Sequence, residues 1–347
     1  MKEVRLAFIG FGNVAQGLTQ ILHTHGEEFA QTYGVRMLIS SITDPIKGTA
    51  FHPDGLNPVD LLAAANQPGA LNAIPGTHPG WDAMEMIQNS PSDVVVEMSY
   101  TNLETGEPAT TYIAEALRRK KHVVTTNKGP IALHYDSLVS IARLHDVQLG
   151  VEGTVMSGTP VLRVGRELLA GAGIRRIQGI LNGTTNYILT RMEAGFSYAE
   201  ALAEAQSLGY AEADPTGDVE GFDAAAKVAI LSRLVLGSPV AYTSVERKGI
   251  SGLTKDDIAS AQAEGKHWKL VGTLEYEGEE LRASVRPACL PGDHPLALVP
   301  GATNALVYTT DYLGDVTIIG PGAGRTQTGY AIIQDLFCIY RVRRSCT

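Results

Sequence analysis

The sequence predicts an α/β protein: a doubly wound parallel sheet first, then a second unit of α+β character. Three observations carry that expectation. An apolar strand pattern over residues 4–9 runs straight into Gly10-Phe11-Gly12-Asn13-Val14-Ala15 and then a helix start. Strand-like and helix-like segments then alternate to about residue 150, as parallel strands joined by crossovers require. From Glu152 the texture changes to polar loops, acidic turns and hairpin signals. The expected domains are 1–150, completed by about 315–347, and 151–314.

The first strand (VRLAFI, 4–9) is apolar enough to be buried, and the turn after it reads G-x-G-x-x-A. Gly10 makes the tight turn, Gly12 lets backbone approach a pyrophosphate, and Ala15 lets the helix pack on the strand. The helix N-terminus offers free N–H groups and a positive dipole end to phosphates. Gly10, Gly12, Asn13, Val14 and Ala15 are therefore candidate cofactor residues; the plain alternative is a glycine-rich turn that binds nothing. A second strand, 36–42, ends at Thr43-Asp44. An acid there hydrogen-bonds a ribose 2′-OH and disfavours a 2′-phosphate. Asp44 thus leans towards NAD, although its spacing exceeds the usual ~20 residues and Arg36 and Lys47 lie close by.

Residues 45–80 read as loops around one short helix (VDLLAAA). A buried strand follows at 93–97 (DVVVE), with Ser99, Tyr100, Thr101 and Asn102 at its carboxyl end. Next come a helix over 109–119, a strand over 122–124 and the segment TTNKGP at 125–130. Ligands meet the carboxyl ends of strands in such sheets, so Thr101 and Lys128 are candidates for the nicotinamide side. For Lys128 a solvated turn lysine is the bland alternative. A helix through 138–144 and a strand over 147–151 complete this unit.

The second unit is expected to hold helices at 161–170, 187–193 and 198–207 and strands at 175–181 and 305–309, with a further strand at 315–319 just beyond it. Two strands (KLVGTLEY, LRASVRPAC) flank a Glu277-Gly278 hairpin turn. A glycine cluster at 320–325 precedes a final helix through Ile332 and Leu336, which is expected to return to the first domain. At the centre of the unit is the stretch 208–234. Its first half is acidic (Glu212, Asp214, Asp218, Glu220); its second half reads as a helix from about Gly221. Asp223 and Lys227 lie four apart and share one helical face. As an exposed pair they would contribute only about 0.3–0.5 kcal/mol. The Ala/Gly-rich surroundings and the surplus of carboxylates beyond a simple cap point to more than that.

Composition narrows the function classes. The 347 residues carry a net charge of −9 and no basic stripe, which argues against nucleic acid as the main partner. No run of 18 or more apolar residues suggests a membrane span, and the N-terminus enters a strand with no room for a signal peptide. Cys289, Cys338 and Cys346 are odd in number and lack metal-type spacing, so a reduced, cytoplasmic compartment is expected.

Taken together, the blocks GFGNVAQG, NLETGEPA (102–109), TTNKGP (125–130), EGTVMSGTP (152–160), ILNGTTNYIL (180–189), YAEADPTGDVEGFDAAAK (210–227), HPLALV (294–299) and GPGAG (320–324) resemble the homoserine dehydrogenases. The likeness spans nearly the whole chain, in order. It implies a Rossmann-type doubly wound sheet plus an α+β substrate-binding and dimerisation domain. The implied reaction is interconversion of L-homoserine and L-aspartate 4-semialdehyde with NAD or NADP, on the route to threonine, methionine and isoleucine.

By motif position, Lys227 would be the proton donor and acceptor on the substrate oxygen, with Lys128 a second lysine near it. Glu212 and Asp223 would hold the substrate, and Asp218, Tyr210, Gly183 and Thr184 would line its pocket. Gly322 and Gly324 would lie along the cofactor. The family also binds sodium, which would fall to Glu152, Val155, Ser157 and Thr159, mostly through backbone oxygens. A homodimer is implied. The short form is expected, without the regulatory ACT domain or the fused aspartate kinase of longer members; the tail RVRRSCT is assigned to no block. Two rival readings exist. A semialdehyde dehydrogenase would need a cysteine nucleophile by the nicotinamide, and a non-catalytic NAD sensor would need a DNA- or partner-binding module; neither feature is apparent.

Overall fold

In the computed structural model, which describes residues 1–77 and 81–342, the chain forms two units. One comprises Met1–Gly158 with Gly324–Thr347; the other is Thr159–Ala323. The first contains β1 (Lys2–Ile9), α1 (Asn13–Tyr33), β2 (Val35–Asp44), β3 (Gly48–Phe51), α2 (Pro58–Ala64), α3 (Ala83–Asn89), β4 (Val94–Glu97), α4 (Ala109–Arg118), β5 (His122–Thr125), α5 (Lys128–Leu144) and β6 (Leu149–Gly150).

The sheet order is β3-β2-β1-β4-β5-β6, so the chain winds outward in both directions from β1. β1, β2, β4, β5 and β6 run parallel, and β3 is an antiparallel edge. A parallel sheet is covered on both faces, which is why its strands are near-continuous apolar runs. Val4, Leu6, Phe8, Val94, Val96 and Val124 are indeed fully buried. The register aligns Ile9 with Glu97 and Glu97 with Thr125. The loops that leave these three strands therefore emerge side by side on one edge.

The second unit contains α6 (Val161–Arg163), which continues as a single π turn over Val164–Leu168, then β7 (Ile174–Ile180), α7 (Gly183–Glu193), α8 (Tyr198–Ser207), α9 (Thr216–Val219), α10 (Phe222–Leu234), β8 (Glu246–Arg247), α11 (Lys255–Ala263), β9 (Lys266–Glu277), β10 (Glu280–Pro291), β11 (Thr303–Thr310) and β12 (Gly314–Pro321). Its sheet order is β12-β11-β7-β9-β10-β8, antiparallel except for the short β10–β8 pair. The last helix, α12 (Arg325–Ile339), belongs to the first unit. It packs closely on α1: a Cβ on Gly17 would lie 2.0 Å from the Arg325 carbonyl oxygen, and one on Gly329 2.6 Å from Leu18 N. Ile332, Ile333, Leu336 and Ile339 of α12 join the core that contains Leu18 and Phe8.

Several local expectations are corrected. α5 starts at Lys128, not near 138, because Asn127 caps it by accepting from Gly129 N at 3.1 Å. Gly129 and Pro130 disguise that start, yet proline is tolerated in a first helical turn. α7 likewise starts at Gly183, not Tyr187, under an Asn182 cap. The expected helix over 161–170 is a short α segment and a π turn, and the strand expected over 147–151 shrinks to Leu149–Gly150. α3 and α11 were not expected, although each begins with a capping box, Asp82/Glu85 and Thr254/Asp257. Within 45–80 the chain adds β3, while residues 78–80 lie outside the described residues, as do Cys346 and the rest of 343–347. Among the described residues no helix is long and apolar enough to cross a membrane.

Candidate active site

On the first unit, the turn after β1 is built for an anion. Gly10 has φ +89°, and a Cβ there would lie 2.7 Å from the Met98 carbonyl oxygen, so the turn can be this tight only with glycine. At Gly12 a Cβ would meet nothing within 4 Å, which leaves approach room in front of α1. α1 has no side-chain cap and no acidic residue in its first turn. Its first amide N–H groups, on exposed Asn13, half-buried Val14 and buried Ala15, are thus available to phosphate oxygens. The residues present fit a dinucleotide.

Asp44 ends β2 and ties that turn down. Its Oδ2 accepts from Phe11 N at 2.8 Å, and its Oδ1 accepts from Ile46 N and Lys47 N, both at 2.9 Å. Burial pushes its carboxyl up, but those three N–H groups and the Lys47 charge hold it below the usual value. Lys47 Nζ donates to the Phe11 carbonyl at 2.6 Å. A carboxylate oxygen accepts about two hydrogen bonds, so Oδ2 keeps capacity for a ribose hydroxyl.

The loops after β4 and β5 are fastened by Glu97, which is fully buried. Glu97 accepts from Ser99 N at 2.8 Å, from the Ser99 hydroxyl, and from Thr125 Oγ1 at 2.8 Å. Burial pushes its carboxyl up, against the pull of these donors. Asn127 Nδ2 adds a bond to the Tyr100 carbonyl at 3.1 Å. Thr101 follows that carbonyl and Lys128 follows Asn127. Both are half-buried, and both stand on loops fixed to one sheet edge.

On the second unit, the decisive element is α10. Every residue from Ala224 to Ser232 is buried, so the helix is covered on all sides. Lys227 lies within it, 7% exposed. A buried ammonium needs partners, and it has them: Nζ donates to Asp223 Oδ2 at 2.7 Å and to the Leu181 carbonyl at 2.6 Å. An ammonium has three donors, so one is left for a ligand oxygen.

Asn182 Nδ2 donates to Asp218 Oδ1 at 2.6 Å and Asp223 Oδ2 at 3.0 Å. Burial and then the Asp223 charge push the Asp218 carboxyl up, while Asn182, Lys227 and Thr184 pull it down. Thr184 Oγ1 donates to the Tyr210 carbonyl at 2.6 Å, and the Tyr210 ring lies 4.9 Å from that of Tyr187. Gly183 is pressed so close to the Ala302 carbonyl that a Cβ would lie 2.6 Å from it.

The structure thus brings Lys227, Asp223, Asp218, Gly183, Thr184 and the Tyr210 backbone together. Glu212 stays exposed on the approach loop. Its carbonyl accepts from Gln206 Nε2 at 3.0 Å. Gly322 lies against the Asn304 side chain, and Gly324 stands just before α12. The loop 152–159 is buried at Glu152, Val155, Ser157 and Thr159, with Met156 and Ser157 both at φ +56°. Ser157 Oγ pairs with Thr328 Oγ1 at 2.7 Å, and Glu152 N donates to Asp335 Oδ2 at 2.9 Å. The side chains of Glu152, Ser157 and Thr159 end in oxygen, the ligand type a hard cation takes.

Two residues that tie these groups together escaped the sequence reading. Asn182 is a good cap residue, but with the helix expected only from Tyr187 it read as loop, and its bonds to Asp218 and Asp223 span 36 and 41 residues. Glu97 read only as the end of a strand. Among the described residues, Cys289 and Cys338 are exposed, and burial pushes the Cys289 thiol up, away from the thiolate a nucleophile needs.

Two family models match the chain: the NAD binding domain of homoserine dehydrogenase over residues 10–152 and homoserine dehydrogenase over 160–337. An NAD(+)-dependent homoserine dehydrogenase of Pseudomonas canavaninivorans is 43% identical across 98% of this chain and 97% of its own. The structure of a homoserine dehydrogenase from Thiobacillus denitrificans superposes with a TM-score of 0.85 at 32% identity, over 98% of this chain and 74% of that one. A hyperthermophilic archaeal homoserine dehydrogenase in complex with NADPH gives 0.84 at 31%, over 98% of each chain.

Proposed function

The chain belongs to the homoserine dehydrogenase family, and we infer from that premise how its own residues carry out the reaction. It is an oxidoreductase that interconverts L-homoserine and L-aspartate 4-semialdehyde with a nicotinamide cofactor. The observation that carries the assignment of roles is the buried Lys227–Asp223 pair with Asn182 and Asp218 around it.

When bound, the nicotinamide supplies or accepts the hydride. The Gly10–Ala15 turn would hold its pyrophosphate and Asp44 its adenosine ribose, with Thr101, Lys128, Gly322 and Gly324 lining the nicotinamide end. Lys227 manages the proton. As the aldehyde is reduced, negative charge develops on its oxygen, and the third N–H of Nζ is available to neutralise it and then transfer a proton. In the oxidative direction the same nitrogen receives the hydroxyl proton. Asp223 and the Leu181 carbonyl fix the direction of that N–H. Asp218, with Glu212 and Asp223, offers carboxylates to the substrate ammonium, and the Gly183–Thr184 backbone and Tyr210 complete the pocket. Lys128 is the second lysine, assigned to the substrate oxygen's side.

NAD is the preferred cofactor in this reading. Asp44 supports it, because its charge opposes a 2′-phosphate, and the Pseudomonas relative is named NAD(+)-dependent. We further propose a sodium ion held by Glu152, Val155, Ser157 and Thr159, a homodimer joined through the second unit, a cytoplasmic location, and a role in threonine, methionine and isoleucine biosynthesis.

Initial rates of homoserine oxidation with NAD and NADP, for the wild type and Lys227→Ala, test the core of this. The wild type should turn over faster with NAD. Lys227→Ala should lose about a hundred- to ten-thousand-fold in kcat, the size of a general acid–base contribution, with cofactor binding intact. Wild-type turnover in that variant would remove Lys227 from the chemistry.

A further inference from the structure

We infer that Asn182 is a positioning residue: its single side-chain nitrogen clamps the Asp218 and Asp223 carboxylates at a fixed spacing to receive the substrate's ammonium. The inference rests on the substrate site proposed above and adds the group that holds its charges in place.

The geometry leaves the amide one orientation. Asn182 is 5% exposed. On its helix side, Oδ1 accepts from Thr185 N at 2.9 Å and from Thr185 Oγ1 at 3.1 Å, so Nδ2 must face the carboxylates. A flipped amide would point a carbonyl oxygen at two carboxylates and leave Thr185 N without its acceptor. The two acids bond one nitrogen at 2.6 Å and 3.0 Å. Carboxylates held that close repel one another, and Lys227 bonds Asp223 directly. The amide supplies N–H groups to both.

The neighbouring backbone adds to this control. The Leu181 carbonyl takes a Lys227 N–H, so residues 181 and 182 together orient one cation and two anions. The loop is also pinned, since Gly183 already sits against the Ala302 carbonyl. Asn182 therefore has two separable roles, cap of α7 and clamp of the acid pair.

Those roles separate by substitution. Asn, Asp and Ser are near-equal helix caps. If Asn182 only caps, Asn182→Ser and Asn182→Asp should match the wild type. As a clamp, Asn182→Ser loses the donor, and Asn182→Asp puts a third carboxylate among the two. The holoenzyme forms would be compared by homoserine kcat/KM, cofactor KM and melting temperature. Asn182→Ser should lose about ten- to a hundred-fold in homoserine kcat/KM, the size of one hydrogen bond to a charged group. Asn182→Asp should lose more, and the cofactor KM should stay within about two-fold of wild type in both, because the lost bond lies in the second unit.

Equal rates in all three proteins would overturn the inference, as would an Asn182→Ser variant that has lost its fold along with its activity. Lys227→Ala and Asp223→Asn in the same assay keep the two levels apart. If those two lose homoserine turnover while both Asn182 variants keep it, only the clamp fails. If they too keep wild-type turnover, the substrate-site assignment itself fails.

Discussion

Asp223→Asn separates charge from shape at the centre of the second unit. Lys227 Nζ lies 2.7 Å from Asp223 Oδ2, with side chains only 9% and 18% exposed. At that distance and an effective dielectric of about 20 the gross attraction is about 6 kcal/mol. Desolvation of both ions offsets much of it, and removing one partner of a buried pair costs about 3–5 kcal/mol. Asparagine keeps an acceptor oxygen for Lys227, and the Asp218 carboxyl, which already feels the Lys227 charge, remains as a counter-charge. The expected loss is therefore the lower figure, about 3 kcal/mol. A second consequence has a definite sign. The Asp223 charge helps push the Asp218 carboxyl up. Without it Asp218 ionises at lower pH, and the acid limb of homoserine kcat/KM should move to lower pH. Urea unfolding and a pH–rate profile measure the two effects. An unchanged unfolding midpoint together with an unmoved acid limb would refute the claim that these groups form one coupled, buried cluster.

Other outcomes follow from the same geometry. Asp44→Asn should raise the NAD KM and destabilise the protein by about 1–2 kcal/mol at pH 7, the scale of hydrogen bonds to a charged group reduced for the partial exposure of Asp44. Because the folded Asp44 carboxyl is held below its ordinary value, this stability is present above the unfolded pKa of about 3.9. It is lost as pH falls through the lower folded value, so thermal melts of wild type and variant should converge in acid. Gly183→Ala puts a Cβ 2.6 Å from the Ala302 carbonyl, and the strained loop should cost about 1–3 kcal/mol, with homoserine turnover falling more than cofactor affinity. Alkylating the exposed Cys289 and Cys338 with iodoacetamide should leave turnover intact; inactivation would revive a thiol mechanism.

How much of this the sequence disclosed depended on the range of the interaction. β1, Gly10 and α1 were readable because a strand pattern, a glycine turn and a helix start are consecutive. The shared face of Asp223 and Lys227 was readable because four residues make about one helical turn. That this face is buried was not, since burial comes from β9 and β10, which follow α10 by some thirty residues or more. Asp44 was identified at the end of β2, but its bond to Phe11 N reaches back 33 residues, and that bond makes it a brace for the glycine turn as well. Lys128 was found in the right segment but not as the first residue of a helix, because Gly129-Pro130 resembles a turn. Asn182 was missed as a site residue for the reason its bonds are long in sequence: both its acids belong to a later segment.

The packing of α12 on α1 has a consequence for how the protein is made. Gly17 and Gly329 allow the two helices to touch, and Ile332 and Leu336 fill the core beside Leu18. The nucleotide-holding half is thus sealed by the stretch the ribosome adds after the other half. At translation speeds of 5–20 residues per second, the gap is on the order of ten seconds or more. Through that interval the emerging sheet carries an oily flank with nothing to cover it, a natural foothold for chaperones. Slower elongation would lengthen the exposure, and a nascent chain stalled before Arg325 would hold its nucleotide scaffold open.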